Sequence, residues 1–349
     1  MVEGLRKPGL VALAAGALLA VFGFVVPAAL AVVLTIDTGV LGPRRATDLL
    51  ERFARRGYHL PAVAAGETGV PRMFLARLPR DWRGIAQADQ RKRAFVMVML
   101  PLVLQANERI LADRARFLDL EAQRSIGKRL RARDRVWLEA LAVSYKLSLK
   151  DRHELKNRLD IVPPSLAIAQ AAIESGWGTS RFATQGNALF GQWTYEARNG
   201  MVPAARGAGQ RHRIRRFGSL ADSVASYMKN LNTHGAYRKF RARRAELRRR
   251  QALDGAALAA TLGPYSERGR DYVQALRKLI SRNALGRLDR VRLQAPTGGH
   301  HLLGRKGPGK QLSQAQPAGW GGVQRAASAS RSSGAALQCV VSLIKFRGM

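Results

Sequence analysis

The stretch "AIESGWGTS" (172–180) places a carboxylate, Glu174, at the end of an apolar run, beside Trp177 and two glycines. The run "PSLAIAQAAIES" has the marks of a helix. Pro164 suits the first turn, where its missing N–H costs nothing. Leu166, Ala169, Ile173 and Trp177 share one face. Gly176 and Gly178 supply the stop, because glycine accepts the left-handed conformation of a helix C-cap. A carboxylate at a helix C-terminus meets the negative end of the helix dipole. Apolar neighbours disfavour its ionised form further. Both effects raise its pKa, and a carboxyl held protonated near neutrality is suited to act as a general acid. Protonation of a leaving-group oxygen is one such task. Cleavage of a glycosidic bond needs that acid together with a second group that stabilises the transition state or activates water.

Other chemistries find less support. His153, His212, His234 and the pair His300–His301 lack metal-ligand spacing with Cys or acidic residues, so no metal or cofactor is expected. The glycines of 298–309 follow no strand and open no helix, so they form no phosphate loop. The single cysteine, Cys339, allows no internal disulfide. The chain of 349 residues has 59 Lys and Arg against 24 Asp and Glu, a formal net charge of +35. That balance implies attraction to polyanions: nucleic acid, anionic headgroups or a wall polymer bearing carboxylates. The run "RKFRARRAELRRR" (238–250) could contact phosphates, yet no nucleic-acid motif accompanies it. It reads as a solvated helix face, and no nucleic acid is expected as a partner.

The elements that must position Glu174 are mostly helical. The pattern predicts a short helix over 46–56, then irregular connection. A helical pattern follows from Gln90 to Ser125, with Phe95, Val98, Met99, Leu102, Val103 and Ile110 at intervals of three and four. Pro101 inside it predicts a kink or a break into two helices. Residues 133–147 repeat the pattern through Val136, Trp137, Leu141 and Tyr145, and 151–159 form another short helix. After Gly178 the period changes. "ALFGQWTY" (188–195) and "RHRIRRF" (211–217) predict a two-stranded β excursion that has room for a third strand. Ser219 and Asp222 resemble a capping box, opening a helix that buries Val224, Tyr227, Met228 and Leu231. Further helices are expected over 239–251, 254–262 and 271–285.

The two ends differ from the middle. Arg6 and Lys7 precede an apolar stretch from Gly9 to Ile36, with no charge until Asp37. That length can span a bilayer, with the basic flank kept on the cytoplasmic side. A cleaved signal peptide ending near Ala29-Leu30-Ala31 is the alternative, and the apolar run continuing to Leu34 favours the anchor. Either way the body is expected outside the cytoplasm. From Pro296 onward the chain is rich in Gly, Ser, Ala and Gln without clear periodicity, which predicts disorder.

"PPSLAIAQAAIESGWGTSRFATQGNALFGQW", "SLADSVASYMKNLNTHGAY" and "YSERGRDYVQALRKLI" resemble the signature of the Bax-type branch of the glucosaminidase family. This is glycoside hydrolase family seventy-three, the mannosyl-glycoprotein endo-β-N-acetylglucosaminidase-like domain. "RKRAFVMVMLPLVLQANERILADR" resembles the helical segment that precedes the catalytic part. The resemblance covers about residues 88–292. It implies a mainly α, α+β lysozyme-like fold, with a helical lobe and a small β lobe flanking a cleft. It divides the chain into a signal anchor or signal peptide (1–37), a helical extension (38–132), a catalytic domain (133–292) and a basic tail (293–349). It implies hydrolysis of the β-1,4 bond after N-acetylglucosamine in peptidoglycan by an enzyme of the cell envelope. The partners implied are peptidoglycan glycan strands and the inner membrane.

The resemblance also assigns residues. Glu174 matches the family's general acid, and Tyr237 in "NTHGAY" its cleft tyrosine. Trp177 and Trp193 are candidate platforms for sugar faces, with burial in the core as the alternative for either. Asn187, Phe190 and Gly191 match the "N-x-x-F-G" turn into the β lobe, where Asn187 either bonds an acetamido group or builds the turn. The family's second carboxylate comes from the β lobe. There the sole acid between Tyr195 and Phe217 is Glu196, among Arg198, Arg206, Arg211, Arg213, Arg215 and Arg216. Either Glu196 serves or the substrate's own acetamido group assists. Asp222 is read as a helix cap. A lytic transglycosylase or an amidase-labelled wall hydrolase on the same fold, and a basic membrane-tethered polyanion-binding protein without catalysis, are the competing functions.

Overall fold

Helices supply most of the secondary structure of the computed structural model, which describes residues 45–204 and 209–296. The expected membrane segment, the tail for which disorder was expected, and Arg206 lie outside the described residues. In chain order the helices are α1 (Thr47–Arg55), α2 (Leu60–Ala65), α3 (Ala88–Ser125), α4 (Ala132–Ser144), α5 (Arg152–Arg158), α6 (Pro164–Ser175) and α7 (Arg181–Gly186). Three short strands follow: β1 (Trp193–Thr194), β2 (Gly200–Met201) and β3 (Arg213–Arg215). The chain then returns to helix in α8 (Leu220–Thr233), α9 (Arg238–Arg249), α10 (Gly255–Ala259) and α11 (Arg270–Arg282). The mainly helical architecture with a small sheet agrees with expectation.

The long helix α3 is the axis of the core. Residues 94–104 of it are buried without interruption, and it packs on α6 and α8. Among the described residues it is the one helix long and apolar enough to cross a membrane, and most of its apolar part is buried inside the protein. The expected break at Pro101 does not occur: the helix continues through it. A proline there removes one backbone hydrogen bond and crowds the preceding turn. Apolar packing around the whole segment outweighs that cost.

The main core draws on both sides of the expected boundary at residues 132 and 133. It joins Ala46, Phe53, Trp82 and Phe95 to Leu166, Phe190, Tyr227, Tyr272 and Leu288. A second, smaller core lies between the end of α3, α4 and α5, from Phe117 and Leu120 to Leu138, Leu141, Tyr145 and Leu155. In α4 the expected face is rotated. Val136 is exposed, while Leu138, Leu141, Ala142 and Tyr145, at i, i+3, i+4 and i+7, are buried. Trp137 is partly buried against this core and carries the Arg116 guanidinium over its ring at 4.2 Å.

Two further expectations change. The connection after α1 holds α2 and a 3-10 turn, Trp82–Gly84, rather than irregular chain alone. The basic helix α9 is not a simple solvated face, because Arg241 and Arg244 on it are buried. The Arg244 guanidinium donates to the carbonyls of Asn157, Asp160 and Ile161 and to Asn232 Oδ1, at 2.7–3.0 Å. Burial lowers its pKa to about 10, so it stays charged at neutrality. Arg248 pairs with the Asp160 carboxylate beside it. This cluster fastens the segment before α6 to α8 and α9.

The β lobe is smaller than the alternation implied. Residues 188–192 form no strand, and the sheet has three strands in the order β1-β3-β2, all antiparallel. Trp193 lies opposite Ile214, and Met201 also opposes Ile214. Ile214 and Met201 are buried. The helix that follows begins with the expected capping box. Ser219 Oγ accepts from the Asp222 N–H at 3.1 Å, and the Asp222 carboxylate accepts from the Ser219 N–H at 2.9 Å.

Candidate active site

Glu174 is the next-to-last residue of α6, and Gly176 caps the helix in the left-handed conformation at φ 58°. The turn beyond is locked from several sides. Ser175 Oγ accepts from the Gly178 N–H at 2.9 Å and donates to the Ala171 carbonyl at 2.6 Å. Trp82 Nε1 donates to the Trp177 carbonyl at 2.8 Å, and Arg83 Nε to the Thr179 carbonyl at 2.7 Å. Gly178 has φ +82°, and a Cβ there would stand 2.8 Å from Trp82 Nε1 and 2.9 Å from a Leu78 methyl carbon. Only glycine fits both the conformation and the space. Glu174 is therefore held by backbone that has little freedom to move.

Its carboxyl is largely withdrawn from water, and Oε1 is buried with no hydrogen-bond partner. Burial pushes its pKa up to about 7, while a hydrogen bond with Tyr272 and the charge of Arg268 pull partly against that rise. The direction is the one expected from placement, and desolvation is its main cause.

Four of the chain's seven tyrosines surround this carboxyl. The hydroxyls of Tyr227, Tyr237, Tyr265 and Tyr272 are all held above the ordinary tyrosine range. Burial is the first cause for each, and the charge of Glu174 adds to it. Gln170, one turn before Glu174, links two of them. Tyr227 donates to Gln170 Oε1 at 2.6 Å, and Gln170 Nε2 donates to the Tyr272 hydroxyl at 2.9 Å. Accepting from Gln170 leaves the Tyr272 proton for Glu174. The rings pack against one another: Tyr265 stacks on Tyr272 with centroids 5.6 Å apart, and Tyr237 lies 6.1 Å from Tyr265.

The other expected site residues divide into those near this cluster and those apart from it. Tyr237, on the 3-10 turn Gly235–Tyr237, belongs to the ring around Glu174. Phe190 is buried, its ring stacked on Tyr227 at 3.9 Å, and it offers no face to a ligand. Its carbonyl accepts from Tyr265 at 3.1 Å, which ties the start of the β lobe to the tyrosine cluster. Asn187 takes the left-handed C-cap of α7, and its amide nitrogen donates to the carbonyls of Phe217 and Gly218. The side chain is used to close the base of the β lobe. Trp177 packs edge-on against Phe95 at 5.8 Å and rests on the main core. Trp193 is half-buried, with His212 stacked on one face at 4.0 Å. Glu196 is exposed on the β1–β2 connection, where Oε2 accepts from Asn199 at 3.0 Å.

Sequence reasoning missed Gln170, Tyr265 and Tyr272 as neighbours of the acid, and took Tyr227 for core alone. A signal was present. Gln170 and Glu174 are polar residues at i and i+4 on an otherwise apolar helix, so they share a face and need polar partners.

A family model described as mannosyl-glycoprotein endo-beta-N-acetylglucosaminidase matches residues 150–285. The chain is 34% identical over 200 residues to Protein bax of Escherichia coli (strain K12), an alignment that covers 55% of this chain and 69% of that protein. Among solved structures, the catalytic domain of the autolysin Auto from Listeria monocytogenes aligns at 20% identity with a TM-score of 0.28. It covers 49% of this chain and 97% of that one, and a likeness of that size bears no weight.

Proposed function

This chain belongs to the glucosaminidase family, and from that premise we propose that it is a peptidoglycan hydrolase of the cell envelope that cleaves the β-1,4 bond after N-acetylglucosamine. The observation that carries the reading is Glu174: a carboxyl raised to about 7, with one oxygen buried and unbonded, inside a ring of tyrosines. In the proposed reaction the protonated Glu174 gives its proton to the glycosidic oxygen as the bond to the anomeric carbon breaks. The oxygen leaves as a hydroxyl on the departing strand. The Glu174 carboxylate left behind is stabilised by the Tyr272 hydroxyl and by Arg268. Water then completes hydrolysis and returns a proton to Glu174.

We assign assistance at the anomeric carbon to the substrate's own acetamido oxygen rather than to Glu196. Glu196 is exposed and held by Asn199 on the outer connection of the β lobe, whereas hydroxyls surround Glu174. Tyr237, one of the surrounding tyrosines, takes the role of the cleft tyrosine in this reading. Trp193, half-buried with His212 stacked on it, keeps a role as a sugar platform. Trp177, Asn187 and Phe190 are structural in this reading.

Digestion of purified peptidoglycan by the full-length chain, with mass spectrometry of the fragments, tests the reading. Fragments with reducing N-acetylglucosamine ends are expected. Anhydro-muramic ends would instead make the protein a lytic transglycosylase. Glu196→Gln, run beside the wild type, is expected to keep activity within about threefold, since an exposed charge contributes little. A loss of a hundredfold or more would return the second role to Glu196.

The pH profile gives a separate check. The reaction needs Glu174 protonated, so kcat/KM is expected to hold below pH 7 and to fall about tenfold per unit above it. The Tyr272 hydrogen bond favours the ionised carboxylate and lowers its pKa. Tyr272→Phe removes that bond, so the alkaline limb is expected to move to higher pH. A limb that stays in place or moves down would show that Tyr272 does not act on Glu174.

A further inference from the structure

The β lobe carries a set of cations that the protein itself does not neutralise. Arg198, Arg211, Arg213, Arg215 and Arg216 lie within it, and Glu196 is the sole acid between Tyr195 and Phe217. Several arginines elsewhere are paired: Arg72 with Glu108, Arg131 with Asp134, Arg158 with Glu154 and Arg248 with Asp160. Among the described residues, no ion pair involves the β-lobe arginines. Glu196 is bonded to Asn199, and Asp222, the next acid after the lobe, to Ser219.

Two of these arginines are organised by the sheet. β3 is the central strand, and Ile214 faces inward and is buried. Side chains alternate along a strand, so Arg213 and Arg215 on either side of Ile214 project together from the opposite face. Thr194 opposes Arg213 and Gly200 opposes Arg215 on that face. Gly200 has a specific use there. A Cβ at Gly200 would lie 2.5 Å from Arg213 Cβ and 2.7 Å from Arg213 Cδ. The stem of Arg213 therefore lies across the β2 backbone, in space that any other residue would fill. Arg215 lies beside it, its guanidinium 5.3 Å from the Phe217 ring centroid. Both guanidinium groups are thus placed by packing while their N–H donors remain available.

This face is joined to the site. Arg215 N–H donates to the Gln192 carbonyl at 2.7 Å, two residues beyond Phe190, whose ring stacks on Tyr227 beside Glu174. The β lobe is thus continuous with the chain that packs beside Glu174, and in the reading proposed above a bound glycan strand runs past it. Guanidinium forks match carboxylates in geometry and charge.

We propose that Arg213 and Arg215 bind the free carboxylates of peptide stems on the glycan, so that the enzyme selects peptide-bearing strands over bare ones. The inference rests on the peptidoglycan reading above and adds a substrate class to it.

The test uses the full-length chain on intact peptidoglycan and on the same glycan stripped of its peptide stems. Arg213→Gln/Arg215→Gln is compared with wild type and with Arg249→Gln/Arg250→Gln, which removes the same charge from the exposed end of α9. On intact material the β3 double variant is expected to lose about three- to tenfold in kcat/KM, mostly through KM, with a weaker dependence on salt. On bare glycan it should match wild type, which also serves as a check of folding. The α9 variant should match wild type on both. Equal losses on both substrates, or no loss on either, would overturn the inference. Co-sedimentation in a Glu174→Gln background separates this result from failure of the hydrolase reading. Retention on intact over bare glycan, lost with the β3 pair, supports stem recognition even without cleavage. Equal retention on both glycans overturns it.

Discussion

Glu174→Gln is expected to lower glycan cleavage by about a thousandfold or more, the scale of a lost general acid, while raising stability in alkaline solution. Glutamine keeps the shape and has no proton to give. The stability effect has the opposite sign from the usual cost of a buried substitution. In the folded protein this carboxyl is raised from 4.5 to about 7, so the folded state binds the proton more tightly than the unfolded state. The stability that this proton contributes is complete below pH 4.5. It is lost as pH rises through about 7. A neutral amide does not carry this loss. At pH 8 the variant should exceed the wild type by up to about 3 kcal/mol, the ceiling set by the size of the shift. At pH 4.5 the two should melt together. Thermal melts at both pH values, beside digestion of peptidoglycan, test the two halves. Retained cleavage would remove Glu174 from the acid's role, and a variant that melts lower at pH 8 would show that the carboxyl is not strained by burial. Such a gain on disabling a residue is the pattern of a site that holds function at the expense of stability.

Arg244→Ala is expected to destabilise the protein by about 3–5 kcal/mol, the range for breaking a buried, hydrogen-bonded charge. The guanidinium is fully buried and satisfies three main-chain carbonyls and Asn232. Alanine leaves these acceptors with fewer donors, opens a cavity and removes a positive charge near the Asp160 carboxylate. Each of these acts in the same direction. The loss should appear as a lower urea midpoint with little change in slope. Arg249→Ala, exposed on the same helix, should stay within about half a kcal/mol. If both variants unfold alike, Arg244 is not the fastening that its bonds imply.

Much of what surrounds Glu174 was legible because it is local. Helix α6, its glycine stop and the Ser219–Asp222 cap each depend on residues within a few positions of one another, and periodicity or capping chemistry exposes them. The tyrosine ring was not legible as such. Tyr227, Tyr265 and Tyr272 come from three separate elements, and only the tertiary fold brings their hydroxyls to one carboxyl. The break expected at Pro101 and the wet face expected around Arg244 failed for a shared reason. Local rules make proline a helix breaker and an arginine run a wet surface. Both rules yield where a residue is enclosed on all sides, by apolar packing in one case and by carbonyls in the other. Val136 illustrates a narrower limit. Two faces of α4 carry apolar residues, and only the position of Phe117 and Leu120 on α3 decides which is buried.

The described body closes on itself near its two ends. Val70 and Leu293 form a parallel bridge: the Val70 N–H donates to the Arg292 carbonyl at 2.8 Å, and the Gln294 N–H to the Val70 carbonyl at 2.8 Å. Arg72 Nε adds a bond to the Gln294 carbonyl at 2.8 Å. A chain made from its N-terminus onward has Val70 in hand long before Leu293 exists. The buried face of α3 waits in the same way for α6 and α8. Contacts so distant in sequence form late, after the loop between them has been paid for in entropy. The unfinished chain therefore has no assembled tyrosine ring and no strained Glu174. The ring's last tyrosine, Tyr272, lies close to the end of the described body, so the surroundings of Glu174 are complete only when nearly all of that body has been made.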